Sequence, residues 1–166
     1  QAAFFNSGIM IDGQILSLET SPVLKPFKSL RSILENTPVD EKFFLNGSTE
    51  KWEFLKGAKR IPRVKPNGEP YFFAEGAMCF PDNLDAPART MLTSESSINR
   101  SSHVVEDQTT GKLRLLTPVE CERINGFPDN WTNTGMPQKF RYFVMGNALV
   151  VPIIEVLGKH LAKILD

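Results

Sequence analysis

Residues 115–131 read LLTPVECERINGFPDNW, and the reading of the whole chain turns on them. Thr117 is a natural N-cap, and Pro118 suits the first helical position because an N–H there has no intrahelical acceptor to lose. Glu120, three residues past the cap, completes a capping box. Gly126 can take the left-handed conformation that closes a helix, and Pro128 stops it from resuming. The helix so defined is too short for propensity alone to hold. Packing through Val119, Ile124 and Phe127 must fix it, and its remaining side chains, Arg123 included, read as structural.

Just behind it lies MGNALVVPIIEVLGKHL, residues 145–161. Gly146-Asn147 is read as the start of a second helix. Leu149, Ile153, Val156, Leu157, His160 and Leu161 give that helix an apolar stripe, with His160 structural. Val150, Val151 and Ile154 widen the stripe beyond what one small domain covers. Such a helix calls for a second surface to lie on.

Upstream the signals are shorter. Ala3–Phe5 and a segment starting at Ile9–Ile11 read as β pieces, with Asp12-Gly13 between apolar flanks as a hairpin turn. Leu30, Ile33 and Leu34 fall at helical spacing before Pro38. STEKWEFLKGAKR suggests a helix closed by Gly57, and RVKPNGEPYFF a turn leading into a strand. From 77 to 113 the pattern is loop-rich, with β-like pieces MCF, RTMLT and HVVE and a Thr-Gly turn at 110–111. The fold class is therefore α+β, an irregular β-leaning region followed by about fifty helical residues.

The totals exclude more than they assign. With 166 residues, 41% hydrophobic residues and twelve Phe, the chain can bury a core. Nineteen basic residues balance nineteen acidic ones, so a nucleic-acid partner must be argued from local clustering. Cys79 and Cys121 form no CxxC, which speaks against a structural metal or disulfide framework and for a reducing cytoplasm. No apolar run has the ~18 residues of a membrane helix. The opening QAAFFNSG, without Met and already inside an apolar run, suggests a cut from something longer.

Taken together, RLLTPVECERINGFPDNW and MGNALVVPIIEVLG resemble the ninth and tenth conserved motifs of the cytosine-5 DNA methyltransferases, R…LT…E…R(L/I)xGFPD and GNAVxxPVxxxIG. DAPARTMLTSES and NRSSHVV are similar to the stretch that precedes the ninth motif in many bacterial members. The resemblance covers residues 76–160 well and 1–75 loosely. Several motifs in the right order make it more specific than one short pattern.

The resemblance implies a division of the chain. Residues 1–8 would be the last strand leaving a Rossmann-like catalytic domain. Residues 9–143 would be the small target-recognition domain, including the ninth motif at 114–131, and 144–166 the helix returning to the catalytic domain. In the family a Cys after a Pro attacks the cytosine, and a Glu in an ENV motif holds the base. This sequence has no Pro-Cys, its ILENTPV is a decoy, and it has no FxGxG cofactor loop. It is thus expected to be inactive alone, its partner being the rest of the same polypeptide or a separate catalytic subunit.

The implied function is recognition of double-stranded DNA and completion of an S-adenosylmethionine pocket, as in bacterial restriction–modification, with no metal and no membrane. Asn147, Ala148 and Leu149 match the positions lining the methionine end of the cofactor. Within 51–65, KWEFLKGAKRIPRVK, six basic residues face one acidic, and Lys59, Arg60 and Arg63 are candidates for phosphate contact or simply a solvated face. Arg89, Thr90, Arg100, Ser101, Ser102 and His103 lie in loops the family places near DNA, although His103 could equally pack at a strand end. The competing reading is a non-catalytic DNA-binding or interaction module.

Overall fold

The computed structural model describes residues 5–23 and 26–165. It is an α+β arrangement of three two-stranded antiparallel sheets and four α-helices. The first sheet is a hairpin of β1 (Ser7–Ile11) and β2 (Gln14–Leu18), in register Ile9↔Leu16. Asp12 and Gly13 both have positive φ, 48° and 77°, the geometry of a tight turn matched to strand twist. The expected hairpin thus forms, but Ile9–Ile11 belongs to its first strand. The strand assigned to Ala3–Phe5 falls mainly outside the described residues, and Phe5 itself is not in a strand.

Leu30, Ile33 and Leu34 are buried as their spacing suggests, yet only one 3-10 turn forms, Leu30–Ser32. The Leu30 and Arg31 amides donate to the Ala86 and Leu84 carbonyls, so the segment is tied to a loop instead of continuing as a helix. Helix α1 (Glu50–Lys56) ends at Gly57 as expected; Gly57 is extended there, and its amide bonds the Glu53 carbonyl. It leads directly into β3 (Lys59–Val64), which pairs with β4 (Pro70–Glu75).

Of the three β-like pieces from 77 to 113, only the last becomes a strand. β5 (Val104–Glu106) pairs with β6 (Leu113–Leu115) around the Thr110-Gly111 turn. Asp107 holds that turn through the Thr109 and Thr110 amides, and Gly111 has φ 69°. MCF and RTMLT stay irregular: the Met78 amide bonds the Lys56 carbonyl and the Arg89 amide bonds the His103 ring, and neither piece pairs with a described strand.

Helix α2 (Pro118–Asn125) carries the caps read from its sequence: the Thr117–Glu120 capping box, Pro in the first turn and Gly126 at φ 81°. It packs into the core through Cys121, however, with Ile124 and Phe127 only partly covered and Val119 outside the core. The core gathers around it, with Leu30, Leu34, Met91, Val105, Leu116, Cys121, Tyr142 and Met145 buried together. Behind it come α3 (Gln138–Asn147) and α4 (Val151–Leu165). Gly146-Asn147 therefore ends one helix instead of beginning the next. The break falls at Ala148-Leu149-Val150, ahead of Pro152, whose ring is tolerated only in a first helical turn.

Helix α4 has no buried residue. Leu157 is 53% exposed, Leu161 61% and Ile164 78%. The β1–β2 hairpin is similar, with Ile9, Met10, Ile15 and Leu16 all more than half exposed. Two apolar surfaces thus face outward while the chain between them packs a core.

Candidate nucleic-acid interface

The ninth-motif segment is held by buried charge. Arg114 is fully buried; its guanidinium donates two bonds to Glu120 at 2.8 and 2.7 Å and a third to Asp107 at 2.9 Å. Burial alone would lower the Arg114 pKa, but the hydrogen bonds and charges of Glu120 and Asp107 raise it. Glu120 also accepts the Thr117 and Glu35 amides at 2.8 and 2.9 Å. One carboxylate thereby caps α2, neutralises Arg114 and fastens the 30–35 segment. At the far end, Arg123 forms a forked pair with Asp129 at 2.7 and 2.6 Å and donates to the Ile33 carbonyl. The Arg, Glu, Arg and Asp of the motif are pairing residues, which accords with a structural Arg123.

The loop residues expected near DNA point mostly inward. His103 and Ser102 are 0% and 1% exposed. His103 Nδ1 lies 2.9 Å from Glu95 Oε1, and Nε2 accepts the Arg89 amide at 3.1 Å. That pair of contacts fixes the tautomer: the proton sits on Nδ1. The Ser102 hydroxyl donates to the Ser97 carbonyl. Arg89 grips Asp82 through Nε at 2.6 Å and reaches the Ser101 carbonyl at 3.1 Å. Arg100 donates to the Leu55, Gly57 and Gly76 carbonyls.

The polar atoms of these four side chains are engaged within the protein. Thr90 remains exposed, and Ser101 lends its carbonyl to Arg89. Sequence reading missed the acids at the centre of this network, Asp82 and Glu95, together with Lys56, all buried. Lys56 Nζ donates to the Ser102 carbonyl at 2.6 Å and lies 3.7 Å from Asp82. Burial raises the Asp82 pKa, yet Arg89 and the Val104 amide outweigh it and leave the value lowered.

Exposed basic chemistry lies on the β3–β4 ribbon. Every residue of β3 after Lys59 is exposed, as are Pro70, Tyr71, Phe72 and Ala74 of β4. Alternation separates Arg60 and Arg63 onto opposite faces. The Arg60 guanidinium carbon sits 4.3 Å over the Phe72 ring and that of Arg63 4.1 Å over Phe73, each a diagonal cross-strand neighbour. Lys59 instead turns to the root of the ribbon, bonding the Leu55 carbonyl at 2.8 Å and Glu75 at 3.5 Å. The patch counted along 51–65 is a two-faced blade with two stacked arginines.

Asn147, Ala148 and Leu149 form the bend between α3 and α4. Asn147 and Leu149 are exposed; the Ala148 amide bonds the Met145 carbonyl, and Asn147 Nδ2 bonds the Phe143 carbonyl. Gly146 is required here by contact: an added Cβ would lie 2.3 Å from the Thr93 nitrogen. Asn125 ties α2 to the same bend through the Met145 carbonyl at 2.7 Å. At the start of α4, Pro152 has no N–H and the Ile153 and Ile154 amides both bond the Val150 carbonyl, at 3.0 and 3.2 Å.

Neither cysteine is built as a nucleophile. Cys121 is fully buried and burial pushes its thiol well above the ordinary range, while Cys79 lies exposed in a loop, bonded to the Pro81 carbonyl. Among the described residues there is no group of three or more His, Cys, Asp or Glu placed to hold a metal, and no helix long and apolar enough to cross a membrane.

Comparison with known proteins agrees with this architecture. The type II methyltransferase M.Sau3AI of Staphylococcus aureus is 52% identical over 97% of this chain, which spans 38% of that protein's length. M.DsaV of Dactylococcopsis salina is 26% identical over 77% of the chain, again about a third of the relative. Among solved structures, Dnmt2 methyltransferase of S. pombe superposes with a TM-score of 0.59 at 16% identity, over 86% of this chain and 44% of that one. Entamoeba histolytica EhMeth gives 0.56, also at 16%, over 86% of this chain and 42% of that one. At such identities the two structures speak for the fold alone. Residues 17–163 match the C-5 cytosine-specific DNA methylases, and the chain belongs to that family.

Proposed function

We propose that this chain is the target-recognition and cofactor-closing part of a DNA (cytosine-5)-methyltransferase. Methyl transfer to C5 of cytosine is then carried out together with catalytic motifs that this sequence does not contain. The observation that carries the reading is α4: fifteen residues, ending the family's signature, with none of them buried. A solvent-facing helix of that composition is stable only against another apolar surface. The β1–β2 hairpin offers a second such surface. Both suit docking onto a catalytic domain.

Within the assembled enzyme, S-adenosylmethionine would supply the methyl group. Asn147, Ala148 and Leu149 would line one side of its pocket, at the N-terminal end of α4, where the helix dipole favours a carboxylate. Catalysis on a base in duplex DNA requires its rotation out of the stack, at a cost of a few kcal/mol that contacts to the rest of the site must offset. The β3–β4 ribbon, with Arg60 and Arg63 free of carboxylate partners among the described residues, is the surface suited to that role. Arg89, Arg100, Ser102 and His103 hold the ribbon and its neighbouring loop in place.

Exchange of segments tests the reading. Residues 41–113 grafted into a relative of different site preference should carry the methylated sequence with them. A hybrid that is active but keeps the host's site would refute it.

A further inference from the structure

We propose that Arg63 reads a guanine from the major groove, the β3–β4 ribbon entering tip-first with Arg60 held back at the phosphates. This rests on the proposed role in DNA recognition and assigns base reading within it. The ribbon carries Lys59, Arg60, Arg63 and Lys65 against Glu69 and Glu75, a charge that complements DNA. Two strands about 4.8 Å apart, with side chains, fit a groove about 12 Å wide.

Its root is fixed by Arg100, which bonds the Gly57 and Gly76 carbonyls on either side, and by Lys59 paired with Glu75. Lys65 at the tip is paired with Glu69 at 2.9 Å. The side chains of Arg60 and Arg63 form no hydrogen bond or ion pair with any described residue; each lies only over its ring. A guanidinium held over a ring and bonded to no described residue keeps its donors available for a forked contact to guanine O6 and N7.

Depth separates the two arginines. Arg60 pairs with Ala74 next to the root, and Arg63 with Tyr71 beside the turn. Three residues of strand correspond to about 10 Å. Both guanidiniums rest at mid-ribbon, over Phe72 and Phe73. With the turn leading into a groove about 8.5 Å deep, the Arg63 backbone stands nearer the base edges, which its side chain reaches by swinging forward, and the Arg60 backbone nearer the phosphates.

The test is methylation of a library of random duplexes by the chain assembled with a catalytic polypeptide carrying the upstream motifs, followed by sequencing of methylated sites. Arg63→Lys keeps the charge and loses the fork. Discrimination at one G·C pair should fall about 10- to 100-fold, with the salt dependence of binding unchanged. Phe73→Leu, which removes the stacking ring and keeps Arg63, should relax the same base pair to a smaller degree. Arg60→Ala should leave the site intact and lower the salt slope by about one. A site preference unaltered by both Arg63→Lys and Phe73→Leu, in an assembly that methylates, overturns the assignment of Arg63 alone. Wild-type silence on every duplex overturns the methyltransferase reading, and this one with it.

Discussion

Arg114 and Glu120 face each other through two parallel hydrogen bonds of 2.8 and 2.7 Å, with both side chains fully buried. They join the last strand of the β5–β6 hairpin to the cap of α2. The stability of the ninth-motif segment depends on this pair, because Glu120 without Arg114 would be an uncompensated buried charge, and Arg114 without Glu120 would keep a single carboxylate bond, to Asp107. Glu120→Gln should therefore destabilise the chain by about 3–5 kcal/mol, and Arg114→Lys should also be costly, since an ammonium cannot reproduce the fork. Urea denaturation would check both. A change under 1 kcal/mol in Glu120→Gln would contradict the assignment.

Acid should unfold this protein through specific carboxylates. Asp82, Asp107 and Glu122 all sit below their ordinary pKa. Burial opposes this, but it is outweighed by Arg89 at Asp82, Arg114 at Asp107 and Thr132 with Arg141 at Glu122. Below the ordinary carboxylate range, about pH 4, the unfolded chain binds protons that the folded one refuses. The contribution is fully present above about pH 5 and is lost as pH falls through the lowered values. Melting temperature should be level near neutrality and drop steeply below pH 4; a level curve down to pH 3 would show that these pairs contribute nothing.

Gly146 should tolerate no side chain. A Cβ there would meet backbone atoms of Leu92 and Thr93 at 2.3–2.5 Å, and neither can rotate aside. Gly146→Ala should push α3 off the 92–93 loop and lower stability by several kcal/mol, comparable to severe overpacking. Equal stability of wild type and variant would mean that the close approach is absent in solution.

Helix α4 makes the opposite prediction. Leu157→Asp and Leu161→Asp alter side chains more than half exposed, so the chain's own stability should shift by less than about 0.5 kcal/mol. Association with the catalytic polypeptide, followed by calorimetry, should be lost. Unaltered binding by the double variant would remove α4 from the interface.

What the sequence made legible was local chemistry. The capped α2 was readable because Thr117, Pro118, Glu120, Gly126 and Pro128 each act within a turn of one another. The helix break at 148–150 was misplaced: Gly146 looks like a start, whereas its real constraint is the backbone of Leu92 and Thr93, far upstream, that no local pattern announces. Pro152 was the available signal, since it belongs in a first turn. Arg89, Arg100 and His103 looked like loop donors because their partners, Asp82, Glu95 and three carbonyls, fall at no periodic spacing. The basic cluster at 59–63 was found, but its distribution over two faces depends on pairing with β4, a property of the hairpin and not of the count.

The central claim is that the reacting thiol lies outside these 166 residues. Transfer of labelled methyl from S-adenosylmethionine to duplex DNA, measured for this chain alone, for a polypeptide with the upstream motifs alone, and for the two mixed, tests it directly. The account predicts label in the DNA only in the mixture, unaffected by Cys79→Ser or Cys121→Ala in this chain. Methylation by this chain alone, or its loss in the mixture on replacing either cysteine with the fold intact, would contradict it.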